Sequence, residues 1–150
     1  MKKLTLILLL SLIYGSAWCQ SETEAVKKVV NTMFEAMRKG DSSLLKSTFH
    51  KSMVLHSVGV RNGASVLSVE NADDFAKAIG TPHKGIYDER IVFGDIKIDG
   101  SLASVWAPYK FYLDDKFSHC GVDVFQLMKT GAGWKIIYIA DTRRKDNCIE

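Results

Sequence analysis

The chain has 150 residues, of which 47% are hydrophobic and 25% charged, with a formal net charge of +3 and three cysteines. This length suits one domain with one core, and no repeat, low-complexity run or proline- or glycine-rich linker divides it. The small basic excess forms no stripe that would suit nucleic acid, and there is no acidic tail.

The chain opens MKKLTLILLLSLIYGSAWCQ. Lys2 and Lys3 form a basic start, and Leu4 to Tyr14 an apolar run too short to span a bilayer comfortably. Ala17 and Cys19 stand at the small-x-small positions of a cleavage site. The expectation is a signal peptide over residues 1–19, an exported mature chain of residues 20–150 and no stable membrane anchor. A lipid anchor at Cys19 is the competing reading, disfavoured by the bulk of Trp18 just before it. Removing Lys2 and Lys3 with the leader lowers the basic count from 20 to 18, against 17 acidic residues.

SETEAVKKVVNTMFEAMRKG reads as a helix with both ends marked. Ser21 and Glu24 have capping-box spacing, and Gly40 sits where a left-handed C-terminal residue belongs. Val26, Val29, Val30, Met33, Phe34 and Met37 form one apolar stripe at helical period, expected in the core. Asp41 is an N-cap candidate for a short second helix. SMVLHSVG and SVLSVE read as strands around an RNGA turn. Asn71 and Asp74 open a third helix, ending near Gly80 and followed by Thr81-Pro82. From Ile86 onward IYDERIVFGDIKIDG, SLASVWAPYKFYL, KFSHCGVDVFQLMK and GWKIIYIADTRR read as four long strands with short turns. Helices first and a meander afterwards predict an α+β domain, with the helices on one face of a curved, mainly antiparallel sheet.

Asp123 and Asp141 interrupt the last two apolar runs. A three-residue loop at Gly131–Gly133, with Gly133 left-handed, pairs Leu127 with Ile137, Phe125 with Ile139 and Asp123 with Asp141. A two-residue loop at Asp114-Asp115 places Trp106 opposite Asp123 and Lys110 opposite His119. Alternation then puts Trp106, Lys110, His119 and Asp123 on one face with Phe125, Ile137, Ile139, Asp141 and Arg143. Opposed carboxylates repel, so either Arg143, Lys110 or a protonated His119 answers them, or one aspartate keeps its proton. A one-residue change in either loop would separate them onto opposite faces, and Asp141 at a frayed strand end paired with Arg143 or Arg144 is the plainer alternative.

Other candidates are weaker. His56 alternates with Val54 and Val58 and reads as a half-buried structural histidine before a ligand contact. His50 and His83 fall near element ends. No His-x-His or Cys-x-x-Cys spacing supports a metal site, and no cofactor motif is present. An exported chain matures where thiols oxidise, so Cys120 and Cys148 are a disulfide candidate. The loop closed is about 29 residues, worth roughly 3–4 kcal/mol. Two unpaired thiols are the alternative.

NADDFAKAIGTPHKGIYDERI, VWAPYKFYLDDKFSHCGVDVFQL and GWKIIYIADTRRKDNC, together with the first helix, resemble the nuclear transport factor two-like superfamily. More narrowly, they resemble exported bacterial proteins grouped as putative lumazine-binding. The resemblance implies a cystatin-like cone of three helices on a strongly bent sheet, a pocket inside the cone and a homodimer through the sheet's outer face. It assigns no activity. Superfamily relatives include ketosteroid isomerases, polyketide cyclases, epoxide hydrolases and dehydratases that use an Asp or His acid–base group. By fold-level analogy alone, Asp123, Asp141 and His119 are the catalytic candidates.

Three functions therefore stand open. In a binding module, Trp106, His119, Asp123, Phe125, Asp141, Arg143 and His56 contact one small, partly aromatic ligand. In an acid–base isomerase, lyase or hydrolase, Asp123 or Asp141 is the base and His119 its partner. In a structural protein the cone is filled by its own side chains. Val105, Ala107, Val122, Val124, Ile136 and Tyr138 make the opposite face apolar too, which is the reason to expect a second subunit.

Overall fold

The computed structural model describes the backbone of residues 2–149 and the side chains of residues 21–149. The predicted signal peptide, its cleavage point and the alternative anchor at Cys19 lie outside the residues described in full. Among the described residues no helix is long and apolar enough to cross a membrane.

Three helices precede or interrupt the strands: α1 (Lys2–Lys39), α2 (Ser42–Thr48) and α3 (Ala72–Gly80). Helix α1 runs unbroken through Ser21, so this serine is an interior residue and not the expected cap. Its far end is as expected. Gly40 takes φ 65°, and the Asp41 N–H reaches back to the Ala36 carbonyl at 2.9 Å, satisfying a carbonyl that the last turn leaves open. Asp41 at once caps α2 by accepting from the Leu44 N–H at 2.9 Å. Asn71 caps α3 by accepting from the N–H groups of Asp73 and Asp74.

Seven strands form one sheet: β1 (Phe49–Arg61), β2 (Ala64–Asn71), β3 (Tyr87–Ile91), β4 (Ile96–Asp99), β5 (Leu102–Leu113), β6 (Lys116–Thr130) and β7 (Gly133–Thr142). The order is β2-β1-β7-β6-β5-β3, with β4 also on β5. All pairings are antiparallel except β1 with β7, which is parallel and brings the N-terminal hairpin beside the last strand. The long strand expected from Ile86 to Gly100 is two. β3 pairs with the Tyr109–Leu113 end of β5, and β4 with its Leu102–Val105 end. The tight turns at Asn62-Gly63 and Asp114-Asp115 carry positive φ at both central residues, the backbone that fits a twisted two-residue hairpin.

Two one-residue irregularities set the faces. Near the β5–β6 turn Tyr112 pairs with Phe117, but Phe111 pairs with His119, so Ser118 is left as the extra residue. Every later pair is offset by one from the sequence expectation: Asp123 meets Ala107, and Trp106 meets Val124. At the β6–β7 turn Thr130 pairs with Gly133, so the loop has two residues and not three. Ile137 is then left over between the Leu127–Ile136 and Gln126–Tyr138 pairs. That extra residue restores the expected Phe125–Ile139 and Asp123–Asp141 pairs, while Leu127 meets Ile136 in place of Ile137.

The inner face of the curved sheet packs on the helices. Val26, Val30 and Phe34 of α1, Leu45 of α2 and Ile79 of α3 are buried against Val105, Phe125, Leu127, Ile136 and Ile139. Each such side chain contributes about 1.5–3 kcal/mol of burial. Phe125 is wholly buried and meets Phe34 edge-on at 6.0 Å. Glu22 ties α1 to the last hairpin by accepting from Trp134 Nε1 and Lys129 Nζ, both at 2.8 Å.

Candidate functional site

Beyond Phe125 the inner face changes character. A cavity of about 350 Å³ lies there between helices α1 and α3 and the sheet. Met33, Phe34 and Met37 of α1, Phe75 and Ile79 of α3, and Leu55 of β1 form its apolar side. The volume lies within the roughly 300–1,000 Å³ range of small-molecule sites. The cone is not filled by its own side chains.

Alternation along the strands delivers the polar end. Glu70 comes from β2, Glu89 from β3, Tyr109 from β5, His119 and Asp123 from β6, Asp141 from the end of β7 and Arg143 from just beyond it. Asp123 and Asp141 face each other across the β6–β7 ladder, only 4% and 6% exposed. Asp141 is fully answered. It accepts from the Ser57 hydroxyl on β1 and, at 2.7 Å, from Arg143 Nε. Arg143 also donates to Ser57 Oγ at 3.2 Å, closing a three-membered network.

Asp123 is answered differently. Its carboxyl faces that of Glu89, and a hydrogen bond between two carboxyls needs a proton on one of them. Its Oδ2 is buried with no partner among the described groups in their ordinary protonation states. Burial, then the charge of Glu89, holds Asp123 well above the usual carboxylate range. Burial also raises Glu89, to about 7, against the opposing effect of its bond to Asp123. Both members are raised by burial, so the pair holds a proton between its two carboxyls. Burial and the neighbouring Asp74 push Glu70 upward as well.

Tyr109 and His119 complete the wall. The Tyr109 hydroxyl donates to the Thr142 carbonyl at 2.9 Å, and burial followed by the charge of Glu89 keeps its proton in place. The Thr142 carbonyl fits because position 121 is glycine: a Cβ there would stand 1.7 Å from that oxygen. The His119 ring stacks on Phe111 at 4.9 Å and meets Tyr109 edge-on, with Nδ1 3.0 Å from Ser118 Oγ. Burial, then Arg143, lowers its pKa, so the ring is neutral near pH 7. It cannot be the cation that answers the aspartates.

The structure thus brings His119, Asp123, Asp141 and Arg143 to one cavity. Phe125 lies deeper, in the packed core. Two expected ligand residues are elsewhere. The extra residue at Ser118 turns Trp106 to the outer face, where it is 49% exposed, and turns Tyr109 inward in its place. Lys110 pairs with Cys120 instead of His119 for the same reason. His56 follows Leu55, which lines the cavity, and so points to the other face; its Nδ1 is 2.8 Å from the Tyr138 hydroxyl. Glu89 was missed by sequence reasoning. The signal was present: it alternates with Tyr87 and Ile91, the same anomaly that marks Asp123.

The chain end is fastened beside the site. Cys120 and Arg144 exchange both backbone hydrogen bonds, at 2.8 and 2.9 Å, and Cys120 is bridged to Cys148 with Cα atoms 5.7 Å apart. Of the two readings of these cysteines, the disulfide is the one formed. Among the described residues no group of three or more His, Cys, Asp or Glu side chains is placed to hold a metal ion.

Residues 21–139 match the family described as putative lumazine-binding. The chain belongs to that family. Solved structures carry the same fold at low identity. An NTF2-like protein of unknown function from Shewanella baltica superposes with a TM-score of 0.66 at 18% identity, over 84% of this chain and 96% of that one. A conserved protein from Planctomyces limnophilus gives 0.68 at 17% identity, over 83% and 98%. A domain of unknown function with a cystatin-like fold from Nostoc punctiforme gives 0.65 at 15%, over 85% and 80%. At such identities the likeness is one of fold. No curated protein matches the chain. The family match supplies the membership, and the solved structures supply a shared fold of helices on one curved sheet.

Proposed function

We propose that the mature chain is an exported, non-catalytic domain of residues 20–150 that holds one small, partly aromatic molecule in the cone. The observation that carries this reading is the cavity itself: about 350 Å³, apolar on its helical side, with Asp123 Oδ2 buried and unpartnered at its polar end. Once ionised, such a buried acceptor without a donor costs about 1–3 kcal/mol, and a ligand N–H or O–H would recover it. Phe34, Phe75, Tyr87 and Phe111 supply aromatic walls. Binding is preferred to acid–base catalysis on the same groups. Asp141 is occupied by Ser57 and Arg143, and Asp123 is engaged with Glu89, so neither aspartate is paired with His119 as a base would be.

The outer face supports assembly with a second copy. Val58, Leu67, Val69 and Trp106 project from it and are 40–65% exposed, a contiguous kind of apolar surface that monomers rarely leave uncovered. Native mass spectrometry of the mature protein, purified from its exporting host, tests both parts. The expected spectrum has a dimer as the main species and a small mass released on denaturation. A monomer with no retained mass, which also excludes the neutral dye Nile red from its interior, would overturn the reading.

A further inference from the structure

The polar end of the cavity is unbalanced in charge. Four carboxyls line it, those of Glu70, Glu89, Asp123 and Asp141, against the single guanidinium of Arg143. That guanidinium is committed to Asp141 at 2.7 Å and to Ser57 at 3.2 Å. The other titratable groups facing the pair, Tyr109 and His119, are both neutral near pH 7. The residues that α1 and α3 place on the cavity carry no charge at all. Asp123 is 4% exposed and its Oδ2 has no donor.

A buried carboxyl in that position has two ways to be stable: it keeps a proton, or it receives a cation. In the empty cavity the proton between Asp123 and Glu89 serves. An ammonium group would replace it, its N–H donors taking the place of the lost proton at the then ionised Asp123 Oδ2, and the surrounding rings favour a cation over their faces. An anionic ligand would meet four acids. A neutral one would leave the proton where it is.

Resting on the reading of the cavity as a binding site, we propose that its ligand is a small organic cation, a primary ammonium or amidinium on an aromatic body. The cationic head donates to Asp123 Oδ2 and to Glu89, and the ring lies among Phe34, Phe75, Tyr87 and Phe111. Charge balances as an exchange: near pH 7.5 the cation enters and the carboxyl pair releases one proton to solvent.

The test compares three probes with a common indole: tryptamine, tryptophol and indole-3-acetate. Each is titrated calorimetrically into the mature disulfide-bonded protein between pH 5.5 and 7.5. Expected at pH 7.5 is tryptamine bound at least tenfold tighter than tryptophol, with indole-3-acetate weakest. Tryptamine should tighten at least tenfold over the pH range, and repeating the pH 7.5 titration in buffers of different ionisation enthalpy should return about one proton released. Asp123→Asn should weaken tryptamine at least tenfold; if that variant melts early by circular dichroism, Glu89→Gln serves instead. Tryptophol or indole-3-acetate binding as tightly as tryptamine would overturn the charge class and leave the binding site standing. If none of the three binds while Nile red enters, the charge class falls alone. If the dye is excluded too, both readings fall.

Discussion

Replacing Glu89 with glutamine isolates the proton that the fold keeps beside its cavity. Burial pushes Glu89 up to about 7 in the folded chain against an ordinary value of 4.5. A carboxyl whose folded value is raised stabilises the fold below its unfolded value, and that stabilisation is lost as pH rises through the folded value. The window for Glu89 is therefore pH 4.5 to 7, and the loss across it is about 3 kcal/mol at 1.36 kcal/mol per unit. Asp123, raised for the same reason, adds to the decline as pH rises. His119 opposes it below pH 6.5, since a buried neutral ring destabilises the fold only while the unfolded ring is charged. Comparing wild type with Glu89→Gln cancels most of that opposing slope. Urea unfolding followed by tryptophan fluorescence, at half-unit steps from pH 4.5 to 8 with the disulfide intact, gives both curves. The variant should be the less pH-sensitive, its stability gaining on wild type by about 3 kcal/mol across the window. Parallel curves would refute the raised titration of Glu89 and its assignment to the site.

Gly121→Ala would push a methyl group to 1.7 Å from the Thr142 carbonyl oxygen and 2.7 Å from the Tyr109 ring. Because backbone must move, a loss above about 3 kcal/mol is expected, read as a lower melting temperature or a loss of soluble yield. Cys148→Ser opens a bridge spanning a sequence separation of 28. It should cost roughly 3–4 kcal/mol in chemical unfolding, and reduced wild type should behave the same way. Tyr109→Phe removes the donor to the Thr142 carbonyl at 2.9 Å. The expected loss is about 1 kcal/mol, with little change in pH profile because the phenol does not titrate in that range.

Much of the frame was legible in the residues. Gly40, Asp41 and Asn71 mark helix ends by backbone and side-chain chemistry that does not depend on distant contacts, and the Asn62-Gly63 and Asp114-Asp115 turns are set in the same local way. The apolar stripe of α1 names its buried side directly. What could not be read was the pairing offset. Ser118 and Ile137 are ordinary strand residues, and nothing in their chemistry announces that each will be left over. One of these offsets went against the expectation and moved Trp106 outward; the other compensated for a misread loop and kept Asp123 opposite Asp141. Glu89 escaped for a related reason. Ile86 to Gly100 read as one long strand, and the break at Val92–Asp95 depends on two short strands sharing one neighbour, a tertiary condition.

The leftover residue in β6 also bears on comparison among distant members of the fold. Two chains can share every apolar and polar position in this hairpin and still differ in where the surplus residue is absorbed. One would then offer a guest the phenol of its tyrosine, the other the indole of its tryptophan. What a guest meets is fixed by a counting offset between neighbouring strands, so walls matched column by column in an alignment can belong to opposite sides of the same sheet.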